Sequence, residues 1–405
     1  MNIYIESHGC SRRKLDVSKF HRYFSLNGYT IVEDPAKADI LLITTCAFKY
    51  DEEEESIKAI DDLGRYNKKV IVYGCLPTIA PTKYNCKFDY INIAPKDIND
   101  IDNYFEGITH KFDQIDDANV IESEVNYSPL PVAFKKFTNE FELSLPFIVK
   151  SGRYVKNKFF SKQHNFHIST SRGCLGNCSY CGVRFAVGTL KSKPLASVLR
   201  EFSKGIESGY KNFSFLGDDV GGYGQDCGSN FCELISALLA EIDKKQLAAH
   251  QNNLNIHLEE INPRWVIKYG DELTNLLSSK NIKSILCPIQ SGSNRILGLM
   301  NRNDDIDKLM VILNEINNNN KKVELNTQII VGFPTETEAE FEESLKQLSK
   351  VGFSSVTLFP YDDKENTKSY EIHPKVPESV KQERIKKAQI YLRQKGIKSA
   401  LCCNE

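Results

Sequence analysis

Hydrophobic residues in the first hundred positions follow two alternating patterns. Short apolar runs at Asn2 to Ser7, Asp39 to Thr44 and Val70 to Tyr73 predict strands, and the central run is typical of a parallel strand buried on both faces. Between these runs, apolar residues recur at helical spacing from Leu15 to Leu26 and from Ile57 to Leu63. The alternation predicts a small parallel, Rossmann-like sheet in an α/β fold.

The alternation resumes with longer units from Phe166. Strands are predicted at 166–170, 212–216, 254–259, 283–289, 323–331 and 354–359, with helices between and after them. Six strand–helix units are too few to close an eight-fold barrel and instead favour a partial (β/α)6 barrel. A last helix is predicted from Val376 to about Lys395.

These patterns divide the chain into an N-terminal domain at 1–125, a linker at 126–165, a barrel at 166–400 and a tail at 401–405. The linker mixes basic and aromatic residues between Phe134 and Lys162. Such a mixture can hold single-stranded nucleic acid or a peptide. It is also typical of an interdomain strap with solvated lysines, and both interpretations stay open here.

Composition narrows the classes of protein. The 405 residues carry a net charge of −1, which indicates no overall attraction to nucleic acid. The 12 cysteines are too sparse for a disulfide framework, and no apolar run reaches the roughly 18 residues of a membrane span. We therefore expect a cytoplasmic protein that does not enter a membrane.

Cys174, Cys178 and Cys181 follow the first predicted barrel strand at a C-x3-C-x2-C spacing. Three thiolates this close can hold three corners of a [4Fe-4S] cube and leave one iron open to a substrate or cosubstrate. Zinc is the competing metal, but a structural zinc site needs a fourth ligand, and this segment has no further cysteine or histidine. Three ordinary core cysteines are the remaining alternative.

A cysteine also follows each of the three predicted N-terminal strands, at Cys10, Cys46 and Cys75. The carboxyl ends of parallel strands gather at one sheet edge, where ligands usually bind. The topology therefore predicts a second three-cysteine site. The alternative is that each is a buried core thiol, a common environment for cysteine.

Nearly the whole chain resembles the radical S-adenosylmethionine (SAM) enzymes and, among them, the methylthiotransferase family. The resemblance is carried by Gly9-Cys10, Thr45-Cys46, Gly74-Cys75, Leu216–Asp219, Tyr223–Asp226, Pro288–Ser293, Met300–Arg302, Ile330–Thr337 and Phe359–Tyr361, together with the loop of Cys174. It implies a radical SAM barrel behind a methylthiotransferase-type N-terminal domain.

The resemblance also implies cofactors and chemistry. Two [4Fe-4S] clusters would be bound, one by Cys174, Cys178 and Cys181 and an auxiliary one by Cys10, Cys46 and Cys75. In the family, SAM on the open iron of the first cluster is cleaved to a 5′-deoxyadenosyl radical, and the auxiliary cluster supplies sulfur. Two SAM molecules per turnover replace an unactivated C–H with C–SCH3. The positions that could contact SAM are Tyr180, Gly217, Asp218, Glu260, Gln290, Ser293, Arg295, Phe333 and Tyr361.

The chain departs from the family's pattern in several places. Arg13 and Thr44 stand where the family usually has asparagines near the auxiliary cysteines, so the hydrogen bonding of that site is expected to differ. Glu259 to Pro263 replaces a serine-rich stretch. We also expect the chain to lack the small C-terminal β-barrel domain that binds RNA or protein in the family, because no such domain is predicted after the final helix.

Without that domain and with a near-neutral charge, a ribosomally made peptide or a protein is the expected substrate. One rival is a tRNA adenosine methylthiotransferase that holds RNA with the segment from Phe134 to Lys162; another is a non-catalytic iron-sulfur redox or regulatory protein. We expect the protein to be a monomer. Its expected partners are a low-potential electron donor and a sulfide source.

Six further cysteines are outside these two sets. Cys287 is predicted to be core, Cys227 and Cys232 lie near the second barrel strand and could be functional, and Cys402-Cys403 could be a simple tail or a pair that delivers sulfur. The remaining one is Cys86.

Overall fold

The computed structural model of the chain describes residues 1–84, 90–121, 165–249, 254–302 and 305–401. Its N-terminal part is a five-stranded parallel sheet in the order β2-β1-β3-β4-β5. The elements are β1 (Asn2–Glu6), α1 (Ser11–Leu26), β2 (Thr30–Val32), β3 (Ile40–Thr45), α2 (Tyr50–Gly64), β4 (Lys69–Gly74), α3 (Leu76–Ile79) and β5 (Tyr90–Ile93).

The central strand β3 is buried at every residue, as its apolar run predicts. Alternate side chains point to opposite faces, so Leu41 joins one apolar cluster with Ile60 of α2, and Leu42 joins another with Phe20 of α1. The two helices thus cover the two faces of the sheet. The predicted parallel sheet is confirmed, and the short strands β2 and β5 extend it on either edge.

The second described part is a parallel sheet of seven strands in the order β14-β13-β12-β11-β10-β9-β6, with helices packed outside it. Its elements are β6 (Asn165–Ser169), β7 (Ser171–Arg172), α4 (Val183–Val187), β8 (Lys191–Ser192), α5 (Leu195–Glu207), β9 (Asn212–Leu216), α6 (Phe231–Ala249), β10 (Asn255–Leu258), α7 (Pro263–Leu277), β11 (Ile282–Leu286), α8 (Asn294–Leu299), α9 (Ile306–Asn319), β12 (Glu324–Val331), α10 (Glu338–Lys350), β13 (Ser355–Pro360), α11 (Glu378–Gln394) and β14 (Lys398–Leu401). The short strands β7 and β8 form a separate antiparallel pair.

All six predicted barrel strands are present, and the last helix corresponds to α11. The prediction lacks the seventh strand, β14, which pairs in parallel with β13. Exposed and half-buried residues alternate along β14, so backbone pairing rather than a hydrophobic run defines this strand.

The N-terminal sheet packs against the start of the barrel through α4. Ala186 of α4 is fully buried in the same apolar cluster as Ile79 of α3 and Leu76. Gly182, just before α4, fits closely here, because a Cβ at this position would lie 2.9 Å from Ile79. This contact brings the carboxyl edges of both sheets to one cavity.

The predicted linker falls almost entirely outside the described residues, as does its basic and aromatic segment. Among the helices that the structure describes, none is long and apolar enough to cross a membrane.

Candidate active site

A cavity of about 330 Å³ lies between the two sheets. Its wall contains all six cysteines of the two predicted sets, Cys10, Cys46, Cys75, Cys174, Cys178 and Cys181. We call Cys10, Cys46 and Cys75 the sheet trio and Cys174, Cys178 and Cys181 the loop trio. The structure therefore brings the cysteines of both predicted sites to one cavity.

The sheet trio is placed by three adjacent parallel strands. β1, β3 and β4 are neighbours in the sheet, and their cysteines follow at the same edge. The Cys75 N–H donates to the Thr45 carbonyl at 3.3 Å, which joins the ends of β3 and β4. The Thr44 hydroxyl bonds the backbone N–H and C=O of His8 at 2.9 and 2.8 Å, which joins the loop of Cys10 to β3.

The loop trio is placed by hydrogen bonds to the barrel. The Cys174 N–H donates to the Gly188 carbonyl at 3.1 Å, and the Gly173 N–H donates to the Asp218 carboxylate at 2.7 Å. Gly173 has φ of +79°, and a Cβ there would lie 2.1 Å from the Thr189 carbonyl oxygen. Glycine is therefore required for the loop to approach this backbone.

The sequence Met300-Asn301-Arg302 holds the loop from the other side. The Ser179 N–H donates to the Met300 carbonyl at 2.9 Å, and the Asn301 side chain donates to the Asn177 carbonyl at 2.7 Å. Arg302 donates to the Pro288 carbonyl at 2.6 Å. The first two bonds give this motif a physical role as a support for the cysteine loop.

Four of the six thiols, those of Cys46, Cys75, Cys174 and Cys181, lie in surroundings that favour their neutral form. Burial raises the pKa of Cys75 and Cys174 to about 12 and that of Cys181 to about 11, and it raises the pKa of Cys46 as well. The Asp219 carboxylate, 3.9 Å from the Cys174 sulfur, acts in the same direction. A bound metal centre reverses this balance because it stabilises the thiolate directly.

The residues present fit iron-sulfur clusters. In the described part of the chain, no three histidine, cysteine or acidic side chains lie close enough together to hold a single metal ion. A four-iron cube binds its thiolates on separate irons and so spaces them more widely. Three thiols on each side of one cavity match that donor set.

Five of the predicted SAM contacts line the cavity, namely Tyr180, Asp218, Glu260, Gln290 and Tyr361. Glu260 and Gln290 have positive φ angles of 54° and 67°, strained values for residues other than glycine. The Gln290 side-chain oxygen is buried without a hydrogen-bond partner among the described residues. Burial raises the pKa of Glu260. The strained backbone of both residues and the unpaired oxygen of Gln290 indicate a ligand site in this cavity.

Gly217 does not line the cavity in the described structure, and its carbonyl oxygen accepts a bond from Arg12 at 2.5 Å. A Cβ at Gly217 would lie 2.8 Å from the Ser171 hydroxyl. A side chain at this position would therefore require the Ser171 side chain to move.

Within the described structure, the other three predicted contacts do not line the cavity. Ser293 caps the start of α8, and its hydroxyl donates to Glu340 at 3.2 Å. Arg295 forms bonds of 2.6 and 2.8 Å to the same carboxylate. Phe333 is fully buried against the edge of Tyr361, with ring centres 5.3 Å apart. Ser293 and Arg295 are thus turned toward Glu340 of α10. Phe333 packs behind Tyr361, which lines the cavity.

The sequence analysis missed an ion pair beside the cavity. Glu53 of α2 is fully buried and bonds Lys364 of the barrel at 2.7 Å and Lys83 at 2.6 Å. Lys364 itself lines the cavity. The acidic start of α2 is visible in the sequence, but which of its carboxylates turns inward is not.

Arg12 was also missed, although it follows Cys10 by two residues. It is part of the cavity wall and reaches the barrel, where its Nε lies 3.3 Å from the Asp218 carboxylate. Burial disfavours its charge, but the neighbouring carboxylate of Asp218 raises the pKa of Arg12 above its ordinary value.

The remaining cysteines are separate from the cavity or outside the described residues. Cys232 and Cys287 are buried in the barrel core, as predicted for Cys287, and Cys227 is exposed. Cys86, Cys402 and Cys403 lie outside the described residues.

Comparison with known families gives two matches. The model of the Radical SAM superfamily matches residues 168–348, and that of Uncharacterized protein family UPF0004 matches residues 2–94. The first range covers the loop trio, and the second covers the sheet trio.

Curated relatives match most of the chain. The probable threonylcarbamoyladenosine tRNA methylthiotransferase of Archaeoglobus fulgidus is 28% identical, over 98% of this chain and 85% of that protein. The ribosomal protein uS12 methylthiotransferase of Thermosipho melanesiensis is 29% identical, over 95% of this chain and 81% of that protein.

Among solved structures, the chain is similar to the radical SAM methyltransferase TsrM from Kitasatospora setae. The TM-score is 0.58 at 12% identity, over 88% of this chain and 72% of that chain. At this identity the likeness shows the fold alone.

Proposed function

Because the chain belongs to the radical SAM methylthiotransferase family, we propose that it replaces an unactivated C–H of a peptide or protein with C–SCH3, using two SAM molecules per turnover. The observation that carries the proposal is the single cavity lined by both trios. A substrate carbon in this space would have a radical source on one side and a sulfur source on the other.

In this proposal the loop trio would hold the radical SAM [4Fe-4S] cluster and the sheet trio a second cluster. When bound, these groups and SAM supply reductive cleavage of SAM, sulfur and a methyl group. The chain's own part is to position these groups and to exclude water. Cys46 and Cys75 are buried, at 6% and 9% exposure, which supports the exclusion of water around them, whereas Cys10 is exposed.

Asp218 and Glu260 would accept hydrogen bonds from the ammonium group or ribose of SAM. Gln290 would donate to the carboxylate through its amide N–H or accept from a ribose hydroxyl through its unpaired oxygen, and Tyr180 and Tyr361 would frame the adenine. The assignments of Gly217, Ser293, Arg295 and Phe333 stay predictions, with Phe333 acting through Tyr361 rather than by contact.

The domain limits belong to the same proposal. Residues 1–125 would carry the auxiliary cluster, 126–165 would connect, and 166–400 would form the barrel, with 401–405 as a tail. A low-potential reductant and a sulfide source are required as partners, and we expect a monomer.

The near-neutral charge of the chain supports a peptide or protein substrate, as does the mixed charge of the cavity wall, where Glu52 and Asp362 offset Lys49 and Arg184. A polyanion is usually bound by an excess of positive charge. The second candidate is tRNA, which the name of the Archaeoglobus fulgidus relative favours. The name of the Thermosipho melanesiensis relative favours a protein.

The test is an anaerobic incubation of the reconstituted enzyme with SAM, sulfide and dithionite, together with total tRNA or with peptides encoded beside its gene. We expect the mass gain of one methylthio group on peptide. A gain on tRNA alone would show that tRNA is the substrate and would refute the peptide proposal. In that case the protein should also bind tRNA in a salt-sensitive manner.

A non-catalytic iron-sulfur protein is the third possibility, and it predicts a different result. Such a protein would form no 5′-deoxyadenosine from SAM with or without substrate. The Cys174→Ala variant gives the matched background for this measurement, since it lacks one thiol of the loop trio.

A further inference from the structure

Helix α1 carries two side chains from the sheet trio to the barrel. It begins at Ser11, directly after Cys10, and Arg12 and Asp16 lie on one of its faces because they are four residues apart. Both side chains bond groups next to the loop trio. The helix is therefore a direct connection between the two cysteine sets.

Arg12 forms the first connection. Its Nη1 donates to the Gly217 carbonyl at 2.5 Å, and its Nε lies 3.3 Å from Oδ1 of Asp218. The other oxygen of Asp218 accepts the Gly173 N–H at 2.7 Å. Cys174 is the next residue, so one chain of polar contacts runs from Cys10 to Cys174.

Asp16 forms the second connection. It is 2% exposed and accepts a bond of 2.5 Å from Arg172, which precedes Gly173. It also accepts from the Tyr73 hydroxyl at 2.6 Å, and Arg13 lies 3.1 Å away. Burial disfavours its charge, but the guanidinium groups of Arg172 and Arg13 keep the pKa of Asp16 below its ordinary value.

This second connection reaches the sheet trio at two places. Tyr73 lies on β4, whose end carries Cys75, and Asp16 lies on the helix that starts at Cys10. The buried Asp16 carboxylate of α1 thus links β4 to β7, the strand that leads into the loop of Cys174.

We propose that Arg12 and Asp16 are positioning residues that fix the separation of the sheet trio and the loop trio, and thereby the transfer of a methyl group from SAM to inorganic sulfide. This inference rests on the proposed function. In the transfer, a sulfide lone pair forms the new C–S bond, the bond from the methyl carbon to the sulfonium breaks, and its electron pair stays on S-adenosylhomocysteine.

The two reactions of SAM depend differently on this separation. Reductive cleavage of SAM takes place beside the loop trio alone, whereas methyl transfer requires SAM and sulfide held by different trios. Misplacement of reacting groups by about 1 Å can lower a rate by about a hundredfold. Loosening the connection should therefore reduce methyl transfer far more than cleavage.

The experiment uses the full chain, reconstituted with iron and sulfide and given SAM and dithionite without a macromolecular substrate. For Asp16→Asn we expect formation of S-adenosylhomocysteine to fall by about tenfold or more, with 5′-deoxyadenosine and bound iron changed by less than about twofold. Arg12 is the less clean test, since its partner Asp218 is a proposed SAM contact.

Asp16→Asn leaves Arg13 and Arg172 without the carboxylate that balances their charge, so this variant can also lower the stability of the fold. The double variant Asp16→Asn/Arg172→Gln removes one charge of each sign, and we expect the same selective loss from it. The control is Asn320→Ala, which removes buried bonds to the Leu277, Ser279 and Ile282 carbonyls at the opposite edge of the barrel. It should destabilise the fold and leave the product ratio unchanged.

A second readout does not depend on turnover. In the reduced wild-type protein, two paramagnetic clusters across one cavity should broaden each other's electron paramagnetic resonance signals. We expect that interaction to change in both Asp16 variants and to stay as in wild type in Asn320→Ala.

An unchanged product ratio with an unchanged magnetic interaction would overturn the inference. So would equal losses of both products in the double variant in parallel with loss of iron, because that result indicates a purely structural role. If wild type itself forms no S-adenosylhomocysteine from SAM and sulfide, the proposed function fails, and the magnetic comparison still decides the positioning role.

Discussion

The loop trio and the sheet trio offer the same three thiols to one cavity but are built in opposite ways. Cys174, Cys178 and Cys181 belong to a single loop, which backbone bonds to Gly188 and Met300 hold in place. The cysteines of the sheet trio follow three different strands, and their meeting depends on the register of β1, β3 and β4. A local site and a distributed site therefore share one reaction space.

The difference determines how each site should fail. A loop site loses its geometry when its own turn or its supports change, and the rest of the fold is little affected. A distributed site fails with the sheet edge that assembles it, because each cysteine is only as well placed as its strand. Variants can therefore separate the two trios.

The largest expected effect is that of Cys174→Ala in the loop trio. Without this thiol the radical cluster should not assemble, so bound iron should fall by about half and formation of 5′-deoxyadenosine should fall to background. Iron analysis and chromatography of the nucleoside products measure both. Cys287→Ala, a buried core cysteine of the same barrel, is the matched control. Retained cleavage in Cys174→Ala would refute the role of the loop trio.

Cys46→Ala tests the sheet trio and should give the complementary result. Bound iron should again fall by about half, but SAM should still be cleaved beside the intact loop trio. Transfer of methyl and of methylthio groups should be lost. Cys232→Ala, fully buried in the barrel, controls for the removal of a thiol. Loss of cleavage to the same extent as in Cys174→Ala would show that the two trios do not act separately.

The sequence predicted the two trios by two different arguments, and the structure brings both together. Spacing alone indicated the loop trio, whereas the sheet trio required the topological rule that parallel strands end at one edge. The convergence of these three cysteines could be predicted because the strong apolar run of β3 identifies the central strand of the sheet.

Other features could not be predicted, for physical reasons. The contacts of Arg12 with Gly217 and of Glu53 with Lys364 join distant parts of the chain, and they depend on how the two sheets dock. Ser293 and Arg295 belong to a motif beside the cavity, but a motif does not reveal which way each side chain turns. Strand β14 pairs through its backbone and has no hydrophobic signal of its own.

Two glycines offer a closely matched comparison of the trios. Gly74 ends β4 with φ of +131°, and a Cβ there would lie 2.3 Å from the Thr45 carbonyl oxygen. Gly173 is equally restricted beside the loop trio. We expect Gly74→Ala and Gly173→Ala each to lower the free energy of unfolding by about 1–3 kcal/mol. Chemical denaturation measures this loss.

The site that each glycine variant impairs should differ. Gly74→Ala should reduce methyl transfer with cleavage retained, and Gly173→Ala should reduce cleavage. Gly28→Ala is the control, because Gly28 has φ of +79° but no atom within 4 Å of the added Cβ. It isolates the cost of the backbone angle from that of the clash. Identical product patterns in the first two variants would contradict the separation of the sites.

The smallest expected effect comes from Thr44→Val, which tests the hydrogen bonds that assemble the sheet trio. The buried Thr44 hydroxyl bonds both backbone groups of His8, so valine would leave an N–H and a C=O unpaired near Cys10. We expect a loss of about 1–2 kcal/mol in the free energy of unfolding. Iron should be retained less firmly by the sheet trio, while cleavage of SAM is unchanged. Thr274→Val is the matched control, since that hydroxyl bonds the Gly270 carbonyl within α7, away from both trios. If Thr44→Val weakened SAM cleavage as much as methyl transfer, the sheet edge and the cysteine loop would be one mechanical unit, and the division into a local and a distributed site would not hold.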